Sequence, residues 1–568
     1  MKGIRGRALW RWVRQAEWLS ELTFIPLALL FSWSLLVIGG VPMTHDGLGL
    51  AITETYRRAY KAGQYFPLWT VFFERGHGSA VPLLYHRLHV QLCALLALMT
   101  GTRVAVKASI PALLFVGAIG IRRLCRFHGA RPWVAWIAGI LLMSANYTVA
   151  DWYVRGATAE LMAFMLIPWG LRYAAELFER RWGAVRFAAA SSLIFFAHMM
   201  TFYFYVPTAA AVVLGALWRL RMLGRARLRA ALGRAFAAGI LLTAAIGPWA
   251  AAVTYVSEFC GSSGIDMRTD AGAFAHWSIF FIDPDLSWSR AVVEGQMSWE
   301  IGRWIFLCLG ICVVMAPGAL GAVWRRAGGL ALLAAFFLVL QRQELTFFFK
   351  MLPGASKIQF PSRLLVFVTT IAILCAAIAI EAALRSRVPF VRVVARVSPL
   401  VAAACQGNVA HGTQSAIWGW NRDKAFVEES LSDPTDVSTK RISANGWPLF
   451  LPRRHGSDPA QQPFLATSDN CMLSSPTLTA GAPARSVAQA VPLHALSFTV
   501  HGQGCTVKLD QYQSSILRVE LSQEGRVSEA DDGTTVIEAP DGTVVHLGER
   551  SVMDLAKKFL IEKTRRFP

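Results

Sequence analysis

Three short stretches of this sequence gather the residue types that move protons and hold anions. His45 and Asp46 adjoin in "VPMTHDG", directly after an apolar run from Leu22 to Gly40. Asp151, Tyr153, Arg155 and Glu160 crowd into "NYTVADWYVRGATAE". Lys357, Gln359 and Arg363 fall in "SKIQFPSR", and His198 stands apart in "FFAHMMTF". A carboxylate can accept a proton from an attacking hydroxyl, while guanidinium and ammonium groups can hold a phosphate as charge develops on it.

Each group also has a purely structural reading. His45 and Asp46 could cap a helix or make an interfacial turn. Arg155 and Glu160 could pair with each other, five residues apart. His198 could satisfy a neighbouring helix, and Arg363 could anchor a helix at the headgroups. Their shared placement weighs toward function, because ionisable groups at membrane depth are costly and tend to face protein or a wet cavity.

The elements that position them are apolar. The chain has 568 residues, 54% of them hydrophobic and 16% charged, and repeated apolar runs of membrane-crossing length make it a polytopic helical membrane protein. The formal charge of +20 sits in Arg clusters between those runs. That placement marks cytoplasmic loops and argues against a nucleic-acid partner. The basic N-terminus reads as a retained signal anchor leading into the span Leu22 to Gly40.

Later spans are expected at Arg103–Ile121, Trp133–Tyr147, Thr158–Ala174, Phe187–Met200, Phe202–Trp218, Ala235–Val256, Trp304–Trp324, Leu330–Leu340 and Leu364–Leu384, with a weaker crossing over 388–405. About ten or eleven transmembrane helices result. Alternation then leaves outer loops at 41–102, 146–158, 257–300 and 341–363, and every candidate but Glu160 and His198 falls in one of them; Glu160 opens the span after its loop, and His198 lies at the outer end of its span. The run before Arg103 carries His86, Arg87 and His89 and is expected to sink only partly into the membrane.

Residues 1–410 thus form the transmembrane domain. From 411 to 568 the composition turns polar, with alternating stretches such as "CTVKLDQY" and a β-turn signal, "PDGT", between two strand-like runs. A β-rich extracytoplasmic domain is expected there, closed by "DLAKKFLIEKTRRFP", an amphipathic helix suited to a membrane surface. Cys471 and Cys505 could form a disulfide if that domain lies outside the cytoplasm.

Chemically, carboxylates beside Arg, Lys and His at an outer leaflet suit glycosyl transfer from a polyprenyl-phosphate sugar to an extracytoplasmic glycan, lipid or protein. The sequence has no P-loop or other nucleotide-phosphate motif, in keeping with a donor already linked to lipid. No tight metal-ligand spacing is present; a divalent cation would need Asp46 with Asp151 or Glu160.

The order "HDG…YRRAYKAGQYFPLW…GHG", "ADWYVRGATAELMAFMLIPW", "FFAHMMTF" and "IQFPSRLL" resembles the bacterial GT-C-fold membrane glycosyltransferases of the 6-pyruvoyl-tetrahydropterin-synthase-related or YfhO-like type. "YVRGATAE" and "QFPSR" are the most specific matches, and the likeness covers roughly residues 20 to 385. It implies Asp46 as catalytic base and Asp151 or Glu160 as a second acidic position. Arg155, His198 and Arg363 would be donor contacts, by chemical inference laid over that pattern. The segment "GHGSAVPLLYH" matches the family only loosely, and no pterin chemistry follows from the name. The expected reaction is a single inverting displacement, with His45 orienting Asp46 or touching the donor, and Arg363 with Arg155 or Lys357 on the phosphate. The competing readings are a flippase or transporter of a lipid-linked sugar, and a non-catalytic factor for envelope polysaccharide assembly. Membrane lipids surround the protein in every case, in a bacterial inner membrane with the site facing outward.

Overall fold

The computed structural model describes residues 19–37, 48–69, 80–221, 225–261, 302–342 and 361–422, then 451–452, 464–467, 472–474, 486–488, 497–512, 517–529 and 534–566, with a few isolated positions besides. His45, Asp46, Lys357, Gln359 and Cys471, and most of the loop at 257–300, lie outside the described residues. The chain divides into two compact units. One holds residues 1–46, 106–242 and 265–426; the other holds 47–105, 243–264 and 427–568.

The protein is a polytopic α-helical membrane protein with a C-terminal β-rich region. Among the described residues six helices are long and apolar enough to cross a membrane: Thr102–Phe127, Met199–Leu220, Arg225–Val256, Gly318–Leu340, Ser362–Ala383 and Pro389–Gly412. A seventh is the pair Pro132–Ser144 and Asn146–Tyr153, bent by 44°. Four more apolar helices are shorter, including Arg303–Met315 and Gly183–Ala197. The weakest expected crossing, over 388–405, lies within one helix, Pro389–Arg422, which runs past the compositional change at 411.

In the first unit the hub is Leu365–Ala383, which is apolar on every face and almost wholly buried. Peripheral spans instead present Leu214, Trp218, Phe236, Val393 and Leu400 outward, as lipid-facing surfaces do. The basic loops converge at one end of this bundle. Arg122 and Arg123 both grip Glu21, at 2.7 and 2.6 Å. Arg326 donates to the His128 carbonyl at 3.0 Å, and Arg219 to that of Arg325 at 2.9 Å. Arg131 and Arg385 share Glu381, and Arg234 donates to the carbonyl of Phe178. The charge pattern that assigned these loops to one side of a membrane is therefore matched by direct contacts.

Two spans differ from their expected outline. The run Leu22 to Gly40 is helical over Phe24–Leu30 and again over Trp33–Val37, with a turn between. Trp133–Tyr147 breaks at Ala145, whose backbone is extended (φ −57°, ψ 140°). Broken helices free carbonyls that lipid cannot satisfy. Here two glutamines of one helix supply the donors. Gln414 donates to the Phe31 carbonyl at 2.7 Å and accepts from Ser34 at 3.0 Å. Gln406 donates to the Ser144 carbonyl at 3.0 Å and to the side chain of Asn146. Both glutamines are fully buried. Further on, the chain breaks at Ala316 before Pro317 and kinks again at Ala327 (φ −140°, ψ 15°), between the expected spans ending at Trp324 and starting at Leu330.

In the second unit, Leu48–Lys61 packs on Arg87–Thr100 through Tyr56, Tyr60, Val90 and Ala94. The latter helix has 14 residues, about 21 Å, too short for a hydrocarbon core of about 30 Å. The guanidinium of Arg87 lies 4.1 Å from the centre of the Trp249 ring. The C-terminal strands form two antiparallel sheets beside a two-stranded pair of Cys260–Gly261 with Leu451–Pro452. The five-stranded sheet runs in the order Ser486–Ala488, Phe464–Thr467, Cys505–Tyr512, Thr534–Ala539, Arg526–Glu529. The four-stranded sheet runs Met472–Ser474, Ser497–His501, Val544–Glu549, Leu517–Leu521. Alternate residues such as Val507, Leu509 and Ile537, or Val545 and Leu547, are buried, the period of two that the sequence displays. The "PDGT" turn forms, with Thr543 N–H donating to the Pro540 carbonyl at 3.2 Å and Gly542 at φ 74°. It does not close a hairpin: the strands on either side belong to different sheets. Cys505 is disulfide-bonded; its expected partner, Cys471, lies outside the described residues.

Candidate functional site

The densest polar cluster of the first unit forms where the bent span hands over to the next helix. After Ala145 the chain makes one α turn, then a π-helix over Ala150–Arg155, and Gly156 reverses it in the left-handed region at φ 73°. The helix Thr158–Glu176 follows. π-Helical turns are rare and often mark functional sites. This one, with the Gly156 reversal, lets two residues five apart face each other.

Arg155 is the centre. Its Nη1 donates to Asp151 Oδ1 at 3.0 Å and to the Tyr147 hydroxyl at 3.0 Å, and its Nη2 donates to Glu160 Oε2 at 3.1 Å. The Tyr147 hydroxyl donates in turn to Glu160 Oε1 at 2.7 Å. Arg363, at the head of the hub helix, brings Nε to 3.2 Å from Glu160 Oε2. The side chains of Asp151 and Glu160 are 0% exposed and that of Arg155 is 2%, whereas Arg363 keeps 12%. Two carboxylates thus balance two guanidinium groups in a buried site, the condition under which buried ions are tolerated.

The sequence therefore picked four members of this cluster, Asp151, Arg155, Glu160 and Arg363, and the fold brings them together. It missed Tyr147. The signal was a spacing of four: Tyr147, Asp151 and Arg155 recur on one helical face. Tyr153, two residues from Asp151, points elsewhere; its hydroxyl donates to the Gln414 carbonyl at 3.4 Å and its ring lies against Trp152. His198 sits in the extended junction between Gly183–Ala197 and Met199–Arg221. Its Nδ1 accepts from the Thr201 backbone N–H at 3.1 Å and lies 2.7 Å from the Thr201 hydroxyl. These contacts make it a local cap on the next helix.

Among the described residues no group of three or more His, Cys, Asp or Glu side chains could hold a metal ion. Asp151 and Glu160 both bind the Arg155 guanidinium, which occupies the place a cation shared by those two carboxylates would take. The donor set joins two carboxylates to one fixed guanidinium, with a second guanidinium at the rim that balances the charge and can face an anion.

The opposite ends of the same helices locate this cluster. Glu160 opens a helix of 19 residues that ends beside Phe178, where Arg234 docks, about 28 Å along its axis. Arg363 and Arg385 flank the hub helix in the same way. The carboxylate–guanidinium cluster and the basic loops therefore lie at opposite ends of the bundle, about one hydrocarbon thickness apart.

The class of protein is set by these features: a multi-span helical membrane protein with a buried ionic cluster at the end remote from its basic loops. No family model matches the sequence, and no curated protein matches it. Among solved structures the chain is similar to the oligosaccharyltransferase of Archaeoglobus fulgidus in its apo form, at 12% identity and a TM-score of 0.42, over 70% of this chain and 56% of that one. It spans, then, little more than half the length of that enzyme. It is also similar to ArnT of Cupriavidus metallidurans. Bound to undecaprenyl phosphate, ArnT matches at 13% identity and a TM-score of 0.38, over 74% of this chain and 79% of that one. In the apo state it matches at 14% and 0.40, over 76% and 80%. No residue role is carried over from them.

Proposed function

We propose that the protein is a membrane glycosyltransferase of the GT-C type, related to the YfhO-like or pterin-synthase-related membrane proteins. It moves a sugar from a polyprenyl-phosphate donor to a glycan, lipid or protein acceptor outside the cytoplasm. The observation that carries this reading is the placement of Arg363 at the rim of a buried ionic cluster, at the end of the bundle away from the basic loops. By the charge rule the basic end is cytoplasmic, so the cluster faces the outer leaflet of a bacterial inner membrane. The disulfide at Cys505 supports an oxidising location for the β-rich region.

In this reading Arg363 holds the donor phosphate and stabilises the charge that grows on it as the glycosidic bond breaks. Lys357 is the second cation, since Arg155 is committed to Asp151, Glu160 and Tyr147. Asp46 removes the proton from the acceptor hydroxyl as that oxygen attacks the anomeric carbon, with His45 orienting it, and the anomeric centre inverts. The test is sugar transfer by the purified protein in nanodiscs, supplied with polyprenyl-monophosphate sugars and a polyprenol or glycan acceptor. Product from the wild type, lost in Asp46→Asn at unchanged fold, supports the reading. Translocation of the lipid-linked sugar without product would assign a flippase instead.

A further inference from the structure

The four ionic members of the site are not equivalent, and their inequality has a direction. Arg155 bridges two carboxylates, so moving it would take from Asp151 and Glu160 the guanidinium they share. Glu160, by contrast, keeps Arg155 on Oε2 and the Tyr147 hydroxyl on Oε1 when Arg363 is taken away. Arg363 brings Nε to 3.2 Å from Glu160, and among these four its side chain retains the most exposure, at 12%. A buried ion pair opens at modest cost only where the group left behind keeps a counter-ion and its hydrogen bonds. Glu160 keeps both when Arg363 moves, because Arg155 and Tyr147 stay on it, and loses its hydrogen-bonded guanidinium when Arg155 moves.

We propose that Glu160 is a resident counter-anion that neutralises Arg363 until a phosphate monoanion of a lipid headgroup displaces it, and that Tyr147 is the positioning residue that makes the exchange reversible. This rests on the reading of Arg363 as the phosphate-binding cation. Without substrate, the Glu160 carboxylate lies against Arg363 as an opposite charge at 3.2 Å. When the phosphate arrives, the guanidinium swaps one oxyanion for another, and Glu160 falls back on Tyr147 and Arg155. No proton or covalent bond need change hands. Because one guanidinium changes partner, the exchange suits a single phosphate carrying one negative charge.

The two groups around Arg363 should then act with opposite sign. Tyr147→Phe removes the donor on Glu160 Oε1, so Glu160 leans harder on Arg363 and phosphate binding weakens, by about threefold to tenfold for one charge-assisted hydrogen bond. Glu160→Gln removes the competing anion and tightens binding by a similar factor. Arg363→Gln abolishes binding. The experiment is titration of the full-length protein in detergent micelles with a polyprenyl-phosphate monosaccharide, a phosphodiester of one negative charge, followed by its effect on intrinsic tryptophan fluorescence or by microscale thermophoresis. Weakening in both Tyr147→Phe and Glu160→Gln, or no change in either, would overturn the exchange and reduce the cluster to a structural ion network. If Glu160→Gln does not fold, Tyr147→Phe decides alone, and unchanged affinity overturns the proposal. Absence of binding by the wild type overturns it as well. Sugar transfer by the wild type with both variants unaltered in affinity would sink the exchange while sparing the transferase; opposite affinity shifts with no transfer under any donor would do the reverse.

Discussion

Arg155 reaches Glu160 across 3.1 Å although five residues separate them, a spacing that places side chains off one another's face on a regular α-helix. The π-helix ending at Arg155 and the left-handed Gly156 make the pairing possible. A side chain added at Gly156 would have to adopt φ 73°, which non-glycine residues rarely do. The ion pair that the sequence offered as a structural alternative to catalysis is present. It is also the support on which the more accessible Arg363 rests.

Replacing Arg155 with methionine should destabilise the protein by about 3–5 kcal/mol, because it leaves the carboxylates of Asp151 and Glu160 buried without their shared cation. Thermal unfolding in detergent, followed by circular dichroism or intrinsic fluorescence, would register this as a lowered midpoint. A midpoint equal to wild type would contradict the committed role of Arg155.

Arg363→Gln should behave differently. Glu160 retains Arg155 and Tyr147, so the loss in stability should be only about 1–2 kcal/mol, while binding of a polyprenyl phosphate disappears. The same unfolding measurement, set beside the binding titration, separates the two arginines.

Gln406→Leu and Gln414→Leu should each cost about 1–3 kcal/mol, since each orphans a buried carbonyl at a helix break. The two positions are eight residues apart on one helix, about 12 Å, so their effects should add within about 0.5 kcal/mol. Urea unfolding of the two single variants and the double variant checks both statements; a large non-additive term would mean that the breaks are coupled.

Glu54 offers a pH signature in the second unit. Burial by itself would raise its carboxyl pKa, but hydrogen bonds from Arg57, Thr102 and Arg58 outweigh burial and hold it below the usual value of 4.5. A carboxylate with a lowered native pKa adds stability that is fully present above 4.5 and is lost as pH falls through the native value. Comparing the unfolding midpoints of wild type and Glu54→Gln from pH 7 downward should show a gap that begins to close only once pH falls below 4.5. A gap independent of pH would mean that the ionised form carries none of the stabilisation.

The class of fold was legible along the chain because hydropathy and Arg placement are local quantities. Apolar runs need no partner to declare themselves, and the clusters around Arg122, Arg219, Arg326 and Arg385 follow the charge rule one loop at a time. Their mutual contacts, Arg326 on His128 and Arg131 with Arg385 on Glu381, were then found in the tertiary structure. The β-rich tail was equally readable by its alternation, though its pairing was not. The "PDGT" turn looks like a hairpin in sequence, yet hands the chain from one sheet to the other, because register is settled by partners far along the chain.

The composition and spacing of this sequence pointed to a many-span membrane protein, with its basic loops expected on one side and Asp151, Arg155, Glu160 and Arg363 on the other. Only the tertiary structure decided that Tyr147 joins them, that Tyr153 reaches Gln414, that His198 caps the helix after it, and that Gln406 and Gln414 close two broken helices. The physical reason is that each of those outcomes depends on backbone departures from a regular helix, at Phe31, Ala145 and the π-turn before Gly156. Such departures are favourable only when side chains hundreds of residues away, such as Gln414 on Phe31, arrive to satisfy the groups that they expose.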